Sequence, residues 1–182
     1  MKKETVMISK NAVKALNEQI TKEMYSAYLY QSMAAFSAGI SLKGFAHWFE
    51  VQALEELFHA EKMYNYILDQ NERVILDSIQ KPPSDFSSPA DMFEKTLEHE
   101  RTVTASINAI AELAKKEGDN ATYNFMLWFV NEQIEEEATP AEILGRLKLA
   151  GEGSGLFMMD AELGARVYTP PAVPRKFKLF LA

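Results

Sequence analysis

Four segments of the chain repeat apolar residues at alternating steps of four and three, the spacing of one face of an α-helix. The first face reads Leu16, Ile20, Glu23, Ala27, Tyr30, Ala34, and the second Phe45, Phe49, Gln52, Glu56, His59, Met63. The third reads Phe93, Leu97, Glu100, Thr104, Ile107, Ala111, and the fourth Phe129, Gln133, Glu136, Pro140, Ile143, Leu147. The periodicity predicts helices over 9–38, 42–71, 89–117 and 120–150, with a short fifth over 156–165. Ser9, Ser41 and Ser88 stand where N-caps belong, Pro89 at a first helical position, and Gly39 and Gly118 where helices stop. No segment reads as a strand.

The connections arrange these helices. The links around Gly39 and Gly118 are short, so the helices on either side are antiparallel neighbours. The link over 72–88 is long and contains Pro82 and Pro83. A helix of about 28 residues is roughly 42 Å long, and seventeen extended residues reach roughly 55–60 Å. The link therefore spans the bundle and returns the chain to the end where the second helix began. The predicted fold is all-α: a four-helix bundle with one long crossover and a short fifth helix over residues 1–165. Residues 166–182, with three prolines and a basic, apolar end, read as a separate tail, either loosely held or a docking segment for a neighbouring subunit or another protein.

Composition narrows the chemistry. The chain has 182 residues and a net charge of -7, which disfavours nucleic acid as the main partner. It has no cysteine, which removes disulfides, thiolate zinc sites, iron–sulfur clusters and cysteine nucleophiles. Any transition metal must be held by carboxylates, amides and the three histidines. No apolar stretch approaches the roughly twenty residues of a membrane span, and the start has no apolar run of signal-peptide length. A cytoplasmic protein with no membrane partner is expected.

The interruptions of the four stripes carry the functional argument. An ionised carboxylate in an apolar interior protonates or finds a partner. Taken singly, Glu23 or Glu100 reads as a boundary residue, and Glu56 with His59 as a satisfied polar pair. Four glutamates, each half-way along its helix, meet at one level and repel one another unless something positive lies between them. No lysine or arginine occupies those stripes near the acids, so a bound cation is the economical answer. Glu56 and His59 have the i, i+3 spacing that points two ligands at one centre. Oxygen-rich ligation with one imidazole suits iron or manganese. Two ions about 4 Å apart would share Glu56 as a bridge, with Glu23 and His59 on one, and Glu100 and Glu136 on the other.

Segments "LNEQITKEMYSAYLY", "KGFAHWFEVQALEELFHA", "EHE" and "YNFMLWFVNEQIEEEA" together resemble the non-haem ferritins of bacteria and archaea, over roughly residues 8–170. The resemblance implies that Glu23 binds the first iron, that Glu56 bridges, that His59 belongs to the first iron, and that Glu100, Gln133 and Glu136 lie at the second. It implies Tyr30 as an electron donor beside the site, and a third iron position at Glu55, Glu132 and Glu135 together with Glu136. It further implies a homo-oligomeric shell of 24 subunits, a ferroxidase in which O2 or H2O2 oxidises Fe(II), and storage as a ferric oxide mineral.

Haem is not expected. The position that carries a haem-ligating methionine in bacterioferritins is Leu57, and their second Glu-x-x-His reads Gln133 and Glu136 here. Two readings compete with storage: a di-iron oxidase or peroxide scavenger with little mineral, and a carrier that binds metal without redox turnover. Pro140, one turn after Glu136, predicts a kink beside the site. His47 and His99 fall outside the acid-bearing stripes and read as structural or surface residues; Trp48 and Trp128 read as packing residues.

Overall fold

In a computed structural model, which describes residues 8–151 and 153–169, five helices follow one another without a strand among the described residues. They are α1 Lys10–Gly39, α2 Lys43–Asp69, α3 Pro89–Lys116, α4 Asn120–Ala150 and α5 Ser154–Leu163. α1 packs along α2, and α3 along α4. The fold is an all-α four-helix bundle with a short fifth helix. No described helix is long and apolar enough to cross a membrane.

The helix ends explain most of the boundaries. Ser9 Oγ accepts from the Ala12 amide at 2.9 Å and Ser88 Oγ from the Asp91 amide at 3.1 Å, so both caps stand where expected. Ser41 does not cap α2. It lies in the left-handed region at φ 67°, turning the chain, and Leu42 precedes the helix without a side-chain cap. The cap comes from α5 instead: Asp160 Oδ1 accepts from the Gly44 and Phe45 amides at 2.8 and 3.1 Å. Gly44 makes this approach possible, since a Cβ there would lie 1.6 Å from the Asp160 carbonyl oxygen. Gly39 is the last residue of α1 rather than its stop, and α5 begins at Ser154, two residues earlier than its periodicity suggests. Asp119 caps α4 by accepting from the Thr122 amide at 2.9 Å. α4 continues through Pro140, which is buried and has no N–H for the Glu136 carbonyl.

The crossover runs the length of α1. Glu72 meets Lys10 at 2.8 Å, the Ile75 amide donates to Asn17 Oδ1 at 2.7 Å, Ser32 Oγ donates to the Pro83 carbonyl at 2.6 Å, and Phe86 packs edge-on against Phe36. α3 therefore starts beside the C-terminal end of α1 and runs antiparallel to it, as Tyr30 to Glu100 and Gln19 to Ser106 both show.

The interior is apolar at both ends and polar between. One cluster gathers Met33, Phe45, Phe49, Met92, Phe93 and Leu147; the other gathers Leu16, Ile20, Met63, Ile67, Ile107 and Met126. The predicted core faces of α1 and α2 are buried throughout. On α3 the buried face is turned slightly: Thr96 and Val103 are inside, whereas Leu97 and Thr104 are only half-buried. Glu100 and Ile107 stay in the core under either phase.

Candidate metal centre

The polar middle of the bundle holds the acids that interrupt the four stripes. Glu23, Glu56 and Glu100 are each 1 % exposed and His59 is 4 % exposed, while Glu136 is half-buried. Their ligand atoms form two overlapping sets. One atom from each of Glu23, Glu56 and His59 lies within 4.8 Å of the others, and the same holds for Glu56, Glu100 and Glu136. Glu56 belongs to both sets. His59 Nδ1 lies 3.4 Å from Glu56 Oε2, as two residues one turn apart on α2 allow.

Neighbouring side chains orient the acids. Gln19 Nε2 donates to Glu23 Oε1 at 2.8 Å, and Ser106 Oγ fixes the Gln19 amide by donating to its Oε1 at 2.6 Å. Tyr30 donates its phenolic hydrogen to Glu100 Oε1, and Gln133 Nε2 reaches Glu100 Oε2 at 3.3 Å and Thr104 Oγ1 at 3.2 Å. Gln52 Nε2 donates to Glu136 Oε2 at 2.5 Å. No donor from the rest of the described chain reaches two buried oxygens, Glu23 Oε2 and Glu56 Oε1. Orphaned carboxylate oxygens are expensive unless protonated or bound to a cation.

The electrostatics agree. Burial, reinforced by the charges of Glu100, Glu136 and Glu23, raises the Glu56 carboxyl well above the ordinary carboxylate range. Glu136 is raised for the same reasons, with Glu100 its largest charged neighbour. Burial also raises Glu23 and takes Glu100 to about 7. His59 is held down to about 4 by burial and then by the charge of Lys62, so it is neutral and able to donate a lone pair at physiological pH. Burial thus favours the protonated form of these carboxyls, and a cation bound among them would displace the protons. Burial and the Glu100 charge push the Tyr30 phenol well above its usual value, so it keeps its proton.

Both the Ferritin family model, described as a ferritin-like domain, and whole-chain relatives match this sequence. The family model covers residues 13–150. The chain belongs to the ferritin-like family. The bacterial non-heme ferritin of Bacteroides fragilis (strain 638R) is 41 % identical over 160 residues, 88 % of this chain and 100 % of that protein. That of Campylobacter jejuni is 44 % identical over 155 residues, 85 % and 93 % of the two chains. Among solved structures, an open pore ferritin from Archaeoglobus fulgidus superposes with a TM-score of 0.87 at 46 % identity, covering 90 % of this chain and 100 % of that one.

Against the sequence expectations, the structure brings together Glu23, Glu56, His59, Glu100, Glu136, Gln133 and Tyr30. Glu55, Glu132 and Glu135 line a separate cavity of about 140 Å³ that also reaches His59 and Glu136. His99 lies off the centre, its Nε2 2.7 Å from Ser26 Oγ, and His47 Nε2 meets the Arg166 carbonyl at 2.8 Å. Trp128 packs edge-on against His59, with Lys62 Nζ 4.1 Å from its ring centroid.

Three contributors escaped the sequence reading. Gln52 sits on the α2 stripe, but its spacing points to no partner. Gln19 lies one residue before the α1 stripe position Ile20. Arg166 stands in the tail by sequence, on none of the four stripes; it reaches Glu55, an acid outside those stripes. An i, i+4 glutamine–glutamate pair, Gln19 with Glu23, was a usable signal for the second. Nothing local points to Arg166, which is 111 residues from Glu55. Residues 170–182, the rest of the expected tail, lie outside the described residues.

Proposed function

We propose that this chain oxidises Fe(II) at an intrasubunit dinuclear centre and stores the product as a ferric oxide mineral inside a shell of 24 copies. The observation that carries this reading is the pair of overlapping ligand sets that share Glu56, built from all four helices, with every member buried except the half-buried Glu136. Membership of the ferritin-like family supports it.

Iron is the substrate. Glu23 and His59 take one Fe(II), Glu100 and Glu136 the other, and Glu56 touches both. Each Fe(II) gives one electron; O2 takes two electrons and two protons and leaves as H2O2. The carboxyls lose their protons when the ions bind, so the proton demand of the oxidant is met inside the site. Where O2 is carried past H2O2 to two waters, two more electrons are needed: a third Fe(II) supplies one, and the neutral Tyr30 phenol, hydrogen-bonded to Glu100, is placed to supply the other with its proton. Gln133 holds Glu100 from the opposite side and completes the second half of the centre.

Aerobic loading with excess Fe(II), followed by a sizing column and an iron count per particle, tests the whole reading. A large particle with hundreds of irons or more is expected. A dimer-sized particle, or only two or three irons per chain, identifies a di-iron oxidase or peroxide scavenger. Metal binding without O2 uptake identifies a redox-silent carrier.

A further inference from the structure

The acidic cavity next to the dinuclear centre already contains a cation of the chain's own. Just past α5 the backbone folds over the middle of α2, and the Arg166 side chain enters the cavity that Glu55, Glu132, Glu135 and Glu136 line. Its Nη2 donates to Glu55 Oε2 at 2.5 Å, and its Nη1 donates to Gln52 Oε1 at 2.9 Å and to the Trp48 carbonyl at 3.3 Å. The guanidinium carbon stands 4.6 Å from the Trp48 ring centroid, a stacked cation–π arrangement. The backbone is pinned as well, through the Arg166 carbonyl and His47.

Gln52 carries this contact further. The side chain is 2 % exposed, its oxygen faces Arg166, and its nitrogen donates to Glu136 Oε2. With its oxygen taken by a donor, the amide must present its NH2 to Glu136. One arginine therefore occupies an oxygen of Glu55 directly and an oxygen of Glu136 by relay.

We propose that Arg166 is an internal competitor for metal in this cavity: seated on Glu55 and, through Gln52, on Glu136, it excludes a third ion until its side chain leaves. The proposal rests on the dinuclear reading above, because Glu136 serves both places. Arg166 is a positioning residue. It neither touches the iron pair nor moves an electron, and it decides how many ions a chain holds at rest. The side chain is 24 % exposed, so it can swing to solvent without opening the bundle.

The competition has a measurable size. A seat held by arginine about nine-tenths of the time weakens a third ion roughly tenfold. The test is anaerobic equilibrium dialysis of the full chain with Co(II), which is read by ion count and visible absorption and needs no turnover. The parent is expected to fill two positions per chain before a third. Arg166→Gln is expected to bind the third ion at least about tenfold more tightly. Arg166→Lys, which keeps the charge but loses the fork, falls between the two. The double variant Arg166→Gln with Glu55→Gln loses the gain. Equal third-ion affinity in the parent and Arg166→Gln overturns the proposal, as does a gain that survives Glu55→Gln. Failure of the dinuclear reading looks different: the first two ions then survive Glu56→Ala, whatever Arg166 does.

Discussion

Glu23 and His59 approach the shared Glu56 from α1 and from the next turn of α2, whereas Glu100 and Glu136 approach it from α3 and α4. The first half of the centre has one supporting chain of hydrogen bonds, Ser106 to Gln19 to Glu23, and leaves Glu23 Oε2 and Glu56 Oε1 without a donor. The second half is more heavily hydrogen-bonded, by Tyr30 and Gln133 on Glu100 and by Gln52 on Glu136, with Arg166 behind Gln52. The difference has a physical meaning. Orphaned oxygens bind an ion by replacing nothing but a proton, whereas hydrogen-bonded ones must first surrender or share a donor. On the proposed dinuclear reading, the Glu23–His59 half is therefore expected to hold its ion more tightly, and the Glu100–Glu136 half to be the one whose occupancy its neighbours tune.

The strongest attempt to break this comparison is Glu56→Ala, which removes the one residue common to both halves. Rapid Fe(II) oxidation, followed by stopped-flow absorbance, is expected to fall by more than the roughly 100-fold that outer supports command, while the particle size stays unchanged. Undiminished oxidation sinks the bridge assignment. Next in size, His59→Ala and Glu136→Ala should each cost one metal ion per chain in an anaerobic Co(II) titration. His59→Ala should remove the tighter ion and Glu136→Ala the weaker; the reverse order contradicts the asymmetry.

Tyr30→Phe sharpens the comparison with a smaller effect. Freed of a donor that it must otherwise share, Glu100 is expected to bind the second ion up to about tenfold more tightly, with the first ion unchanged in the same titration. An equal change in both ions shows that the halves are not separable.

Smallest is the pH dependence of the metal-free protein. Glu100 is raised from 4.5 to about 7, so the folded chain holds more protons than the unfolded one between those values and stability falls as pH rises through them. His59, lowered from 6.5 to about 4, acts in the opposite sense between its two values, where stability rises with pH. His99, lowered the same way by burial, does likewise. Above pH 6.5 the histidines fall silent and only the carboxyls remain. The metal-free chain is therefore expected to lose thermal stability from pH 6.5 upward, and Glu100→Gln to lose less. Calorimetry across that window checks the sign, and added Co(II) should abolish the loss.

The legibility of these features in the chain follows how local each one is. Glu56 with His59, and Gln19 with Glu23, lie within one turn of a helix, so spacing alone places them side by side. The four interrupted stripes are equally local, since each helix shows its buried acid without reference to the others, and the caps at Ser9 and Ser88 are made by residues three positions away. The crossover could be inferred because chain length limits where a helix can begin again.

Tertiary structure decided whatever depends on a partner distant in sequence. α2 is capped by Asp160 across more than a hundred residues, which is why Ser41 was free to turn the chain instead. The small rotation of α3 exchanged Leu97 and Thr104 for Thr96 and Val103, because packing against α1 and α4 sets helix phase more finely than periodicity does. Above all, Arg166 reads in the sequence as one basic residue at the edge of a tail, and becomes the counter-ion of the half-buried Glu55 only once α5 returns the chain to α2. A helix carries its own 3.6-residue geometry wherever it is placed, so the residues on its faces could be named from the sequence. Ion pairs and caps between elements act over a few ångströms, and only folding brings their members that close.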